Sequence, residues 1–124
     1  MHKVLIAIGS NERQSVHVQW ASERLSQLLD NIRLSSRLWT ADVKGSGRWY
    51  MNRLAAGNTL LTVPELEQQL KQLERATGRN QERVTLDLDL MQYDNDRYHL
   101  NDWPRPYIQR LLPDMRDEMT ALGQ

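Results

Sequence analysis

The chain has 124 residues, enough for one domain with a modest core. Its 16 basic and 16 acidic side chains cancel to a net charge of +0, which argues against a nucleic-acid binder working through bulk electrostatics. Hydrophobic residues at 40% and charged ones at 26% are ordinary for a globular protein, and the lack of cysteine excludes a disulfide framework or a thiolate metal site.

Residues 4–8 read as a short buried strand, stopped by Gly9-Ser10-Asn11. That apolar run is too short for a membrane span, and no signal-peptide cleavage pattern follows it, so a cytoplasmic protein is expected. A helix is predicted over 13–30, with Val18, Ala21, Leu25, Leu28 and Leu29 at helical spacing. Residues 31–39 form a second predicted strand. Residues 40–48, with two glycines and no period, read as a mobile loop. A third strand is predicted over 49–61, with Gly57 and Asn58 marking a bulge. Thr62-Val63-Pro64-Glu65 is a capping box with proline in the first turn, so a helix starts there and runs to about Thr77 before Gly78 closes it. Leu66, Leu70 and Leu73 are its inward positions.

After a short polar loop, residues 85–93 form a fourth predicted strand that alternates strictly. Leu86, Leu88 and Leu90 take one face, and Asp87 and Asp89 the other. Side chains two apart on a strand are separated by ~6.5–7 Å at the backbone. Two carboxylates at that spacing can share a divalent cation or hold two against a polyphosphate. The plainer alternative is a half-buried strand with a wet face, although aspartate is depleted in strands. Asp94-Asn95-Asp96 is turn chemistry, the Trp103-Pro104-Arg105-Pro106 segment is extended or turning, and a last helix begins at 108–112. The four tryptophans read mainly as core, and His2, His17 and His99 show no metal-ligand spacing.

The order β-α-β-β-α-β predicts an α+β, ferredoxin-like fold: a four-stranded antiparallel sheet with two helices on one face. In that arrangement the fourth strand is expected to present Asp87 and Asp89 beside the third strand and its preceding loop. Residues 1–112 form the expected domain, and 113–124 a polar tail or short amphipathic helix through Met115, Met119 and Leu122.

Several pieces together resemble one family: Ile6-Ala7-Ile8-Gly9-Ser10-Asn11, Tyr50-Met51-Asn52 after a glycine-containing loop, Leu73-Glu74 followed by Gly78-Arg79, and Thr85-Leu86-Asp87-Leu88-Asp89-Leu90-Met91. In order and spacing, from about residue 4 to 94, they resemble the 6-hydroxymethyl-7,8-dihydropterin pyrophosphokinases. The resemblance implies ATP as co-substrate, two Mg2+ ions held by Asp87 and Asp89, and pyrophosphate transfer to the hydroxymethyl group of a reduced pterin. It further implies pterin contacts at Thr40, Val43, Tyr50 and Asn52, nucleotide contacts at Lys71, Glu74, Arg83, Leu90 and Arg105, and catalytic roles for Arg79 and Arg83. The implied partners are ATP and a small pterin-like molecule, with no nucleic acid or membrane, in a monomer or homodimer.

The departures from the family fall on the parts that clamp the nucleotide. The loop before the aspartate strand is short, Val84 stands where the family carries an arginine, and Arg105 stands where it carries a histidine. Arg83, one residue away, is the arginine carried over in its place, although a one-residue slip on an extended segment turns a side chain to the opposite face. Trp103 and Tyr107 are the aromatics available to close over a pterin. A second reading therefore keeps the scaffold without turnover: a relative that binds a pterin, a nucleotide or a protein partner.

Overall fold

The computed structural model describes residues 1–42, 44–80 and 83–115. At its centre lies β1 (His2–Ser10), whose run Val4-Leu5-Ile6-Ala7-Ile8 is buried throughout. A strand apolar at every position needs cover on both faces, and β1 has it. Val4, Ile6 and Ile8 pack under α1 (Gln14–Leu28) and α2 (Val63–Ala76) with Val18, Leu25, Leu66 and Leu70. Leu5 and Ala7 face the other way, into a second core with Trp103, Ile108, Leu111 and Met115.

Among the described residues the sheet has six antiparallel strands, not the expected four. The second predicted strand splits into β2 (Asp30–Leu34) and β3 (Leu38–Ala41), both paired with β4 (Trp49–Thr59). The break falls at Ser35, which is buried. Its Oγ accepts the Leu54 N–H at 2.8 Å and donates to the Ser36 carbonyl at 2.7 Å, so a side chain stands in for part of the ladder. Beyond β5 (Asp87–Tyr93), the Asp94-Asn95 turn folds back a two-residue β6 (Asp96–Arg97), with Asp94 at φ 52°.

The strand order is β2-β4-β1-β5-β6, with β3 also on β4. Thus β5 pairs directly with β1, and the aspartates stand beside β1 instead of beside the third predicted strand. The two-helices-on-one-face expectation holds for α1 and α2 only. A third helix, α3 (Pro106–Leu111), continues as a 3-10 turn over Leu112–Met115 and covers the opposite face, because Leu5, Leu54 and Met91 there also need burial. Met115 is buried in that second core, and the tail helix expected through Met119 and Leu122 lies outside the described residues.

The capping box forms as the sequence predicts. Thr62 Oγ1 accepts the Glu65 N–H at 3.3 Å and Glu65 Oε1 accepts the Thr62 N–H at 2.9 Å. The irregularity expected at Gly57 belongs to its neighbour: β4 runs in unbroken register with β1, while β2 carries the extra residue. Asn31, at φ 53°, absorbs it. A Cβ at Gly57 would lie 3.0 Å from the Leu29 Cβ and 3.1 Å from the Asp30 carbonyl, so any larger residue would press on the start of β2 and require it to give way. The tryptophans divide: Trp103 is buried, whereas Trp39 and Trp49 are exposed on the β3–β4 edge and are not core.

Candidate active site

The side chains of β5 alternate as the sequence predicts. Leu88 and Leu90 enter the core below α1 and α2, and Asp87 and Asp89 point to the opposite face. In register, Gly9 of β1 is opposite Asn52 on one side and opposite Asp87 on the other. Three adjacent strands therefore present Asn52, a bare glycine and Asp87 in one row, the two side chains ~10 Å apart at the backbone. Above this row opens a cleft of about 270 Å³, with Thr40 and Tyr50 at the β3–β4 end and Arg79, Arg105 and Tyr107 at the β5 end.

At the polar end, the Asn52 Nδ2 donates to Thr40 Oγ1 at 2.7 Å. Asn52 is almost fully buried, and its Oδ1 lies 3.5 Å from where a Gly9 Cβ would be. Asn11 braces the same end. Its Nδ2 donates to the Tyr50 hydroxyl at 3.2 Å, and its Oδ1 accepts the Val84 N–H at 2.9 Å. The Asn11 N–H in turn donates to the Val84 carbonyl at 2.9 Å. Burial, reinforced by the Asp42 charge, raises the Tyr50 phenol above its ordinary range, so it stands neutral as a hydrogen-bonding group.

At the acidic end, α2 and the turn after it supply the supports. Arg79 Nη1 lies 2.8 Å from Glu74 Oε2 and 3.0 Å from Asp87 Oδ1. Glu74 Oε2 also accepts the Leu88 N–H at 2.8 Å, which fixes the carboxylate against the start of β5. Burial works to lower the Arg79 affinity for its proton, but the Asp87 and Glu74 carboxylates outweigh it and the pKa rises. Burial raises Glu74, with the Leu88 N–H and Arg79 pulling the other way. Asp89 is displaced furthest: burial first, then the charge and hydrogen bond of Asp87, push it up to about 8, with Glu74 and Asp102 adding to the repulsion. Among the described residues Asp89 has no close positive partner, the His99 Nε2 standing 3.9 Å from its Oδ1. A divalent cation between Asp87 and Asp89 would supply one, so the donor set fits a hard metal ion.

The structure brings Thr40, Tyr50, Asn52, Arg79, Asp87, Asp89 and Arg105 to the cleft. Glu74 stands behind Arg79, and Lys71 lines a shallower groove beside it with Glu74, Arg75 and Asn80. Arg83 is directed elsewhere: its Nε lies 3.5 Å from Glu12 Oε1 and its side chain is mostly exposed. The Leu90 side chain is sealed in the core below the sheet. Val43 lies outside the described residues. Trp103 is locked in the second core, its Nε1 donating to the Tyr98 carbonyl at 2.9 Å, while Tyr107 lines the cleft, its phenol pushed up to about 12 by burial.

Sequence reasoning gave no role to Asn11, His99 or Asp102. Asn11 follows the strand-ending Gly9-Ser10, where a side chain that bonds backbone is a recognisable signal. His99 Nε2 lies 3.9 Å from Asp89 Oδ1, and ligand atoms of Asp89, His99 and Asp102 all fall within 4.8 Å of one another. A contact between residues 89, 99 and 102 depends on how the β5–β6 hairpin folds back, which no local spacing announces.

A family model described as 7,8-dihydro-6-hydroxymethylpterin-pyrophosphokinase matches residues 5–116. No curated protein matches the chain.

Proposed function

Since the chain belongs to the 7,8-dihydro-6-hydroxymethylpterin-pyrophosphokinase family, we propose that it transfers pyrophosphate from ATP to the hydroxymethyl group of a reduced pterin, using Mg2+ held by Asp87 and Asp89. One observation carries the reading. Asn52 and Asp87 are set in register on either side of Gly9, so a donor–acceptor edge and a pair of carboxylates share one cleft floor.

A flat heterocycle fits beside Gly9, which adds no side chain of its own between Asn52 and the Tyr50 ring, with its amide-like edge against Asn52 and Thr40. Tyr50 and Tyr107 supply ring faces at the cleft walls. The hydroxymethyl oxygen then lies toward Asp87 and Asp89, where the nucleotide's phosphates would be gathered. In the reaction this oxygen attacks the β-phosphorus of ATP. The bond from that phosphorus to the oxygen bridging it to the α-phosphorus breaks, AMP leaves, and the hydroxyl proton is released. Bound Mg2+ supplies neutralisation of the transferring phosphoryl charge. The chain's own contribution is positioning. Glu74 and Arg79 hold Asp87 from behind, and Arg105 offers a planar guanidinium to phosphate oxygens. The Arg79 ion pair is also the local competitor of a cation at Asp87, so loading the site requires Arg79 to share that carboxylate or turn to the phosphates.

The test is to incubate the protein with ATP, Mg2+ and 6-hydroxymethyl-7,8-dihydropterin and to measure AMP. Production of AMP, lost in Asp87→Ala while the fold survives, is the expected result. Absence of AMP, together with nucleotide binding that Mg2+ fails to tighten, would overturn it.

A second reading has its own observation. Val84 stands where the family carries an arginine, and the nearest alternative, Arg83, pairs with Glu12 and does not line the cleft. On that reading the protein binds a pterin or nucleotide without turnover. Calorimetric pterin binding with no AMP formed distinguishes it.

A further inference from the structure

We infer that His99 and Asp102 complete a mixed nitrogen–oxygen cation site with Asp89, so the cleft takes a first-row transition ion such as Mn2+ or Co2+ more tightly than Mg2+. This rests on the reading of Asp89 as a cation ligand and adds two ligands that reach it from another segment.

Three observations carry it. The first is convergence. One imidazole nitrogen and two carboxylate oxygens lie within 4.8 Å of one another, with His99 Nε2 3.9 Å from Asp89 Oδ1. Ligands ~2.1 Å from a common metal and adjacent in its shell lie ~3 Å apart, so small side-chain movements close the set. The second is a rigid mount. The Asp102 N–H donates to the His99 carbonyl at 2.8 Å, closing one turn that carries both ligands. The buried Trp103 anchors that turn through its Nε1 bond to Tyr98, and the Tyr98 N–H donates to the Met91 carbonyl on β5 at 2.9 Å. The turn is thereby tied to the strand that bears Asp89. The third is a ligand already oriented: Arg105 Nε holds Asp102 Oδ1 at 2.9 Å and leaves the rest of the carboxylate for another partner.

The chemistry sets the preference. Carboxylates alone suit Mg2+, whereas an imidazole nitrogen adds affinity for softer first-row ions, in the order Mn2+ below Co2+. His99 holds φ 52°, a conformation that asparagine adopts readily, so His99→Asn removes the nitrogen ligand and keeps the backbone.

The experiment titrates Co2+ and, separately, Mg2+ into the metal-free full chain by calorimetry, without nucleotide, and records pulsed EPR spectra of bound Mn2+. Wild type is expected to bind Co2+ at least tenfold more tightly than Mg2+ and to show a 14N coupling to Mn2+. His99→Asn should weaken Co2+ about tenfold, leave Mg2+ within twofold and abolish the coupling; Asp102→Asn should weaken both ions. A Mn2+ spectrum without nitrogen coupling, or equal Co2+ affinity in wild type and His99→Asn, overturns the inference and leaves the Mg2+-dependent transfer standing. Failure of every divalent ion to bind, with or without an ATP analogue, overturns both.

Discussion

Replacing Asp89 by asparagine should stabilise the metal-free protein while removing its cation site. Burial and the neighbouring Asp87 displace the Asp89 carboxyl from 3.8 to about 8. At ~1.4 kcal/mol for each tenfold change in proton affinity, the ionised form costs at most ~6 kcal/mol. Solvent reaches the side chain, which is 28% exposed, and the charge is shared with Asp87, so screening reduces the cost to ~2 kcal/mol. The sign follows from linkage. Between pH 4 and 8 the folded state holds a proton that the unfolded state has lost, so stability falls as pH rises through that window and the penalty is complete above pH 8. An asparagine amide at this position carries no such charge and can donate to Asp87. In chelator at pH 8.5, Asp89→Asn should therefore melt ~6–10 °C above wild type, and the gap should close toward pH 4. Magnesium should raise the wild-type melting temperature and leave the variant's unchanged. Calorimetric melting across pH, with and without Mg2+, makes the measurement. A variant that melts below wild type at pH 8.5, or identical pH profiles for the two, would refute the assignment of an uncompensated carboxyl.

Two further outcomes follow, one from the row through Gly9 and one from the crossing of β2 and β4. Asn52→Ala removes the amide that bonds Thr40 at 2.7 Å, and pterin binding should weaken ~10–100-fold by calorimetry with nucleotide affinity unchanged. Equal loss of both would mean that Asn52 supports the whole cleft. Gly57→Ala places a methyl 3.0 Å from the Leu29 Cβ, so urea denaturation should show a loss of ~1–3 kcal/mol at constant m-value. A neutral result would show that β2 can slide away from β4.

What could be read from the sequence came from local chemistry. The alternation of Leu88 and Leu90 with Asp87 and Asp89 required one core face and one open face, and β5 has both. The Thr62–Glu65 box required a helix start, and both of its hydrogen bonds are made. The continuous run at residues 4–8 required a buried strand, and that strand is central. The errors lay where local pattern carries no signal. Ser35 reads as an ordinary polar position of a strand, yet its hydroxyl replaces backbone bonding and divides β2 from β3. The segment after Tyr93 reads as turns, a last helix and a tail; that helix forms as α3, but no local pattern announces that it folds back to cover the second face with Trp103, Ile108 and Met115.

The sequence by itself determined which residues alternate, cap and turn, because side-chain period and hydrogen-bonding capacity act over a few positions. It also named Asp87 and Asp89 as a pair, since spacing along one strand is a local quantity. Only the tertiary structure decided that Asn52, Gly9 and Asp87 form one row, that Arg83 turns to Glu12, and that His99 and Asp102 reach Asp89. Those relations follow from strand register and chain reversal, where bonding between distant segments chooses which side chains meet.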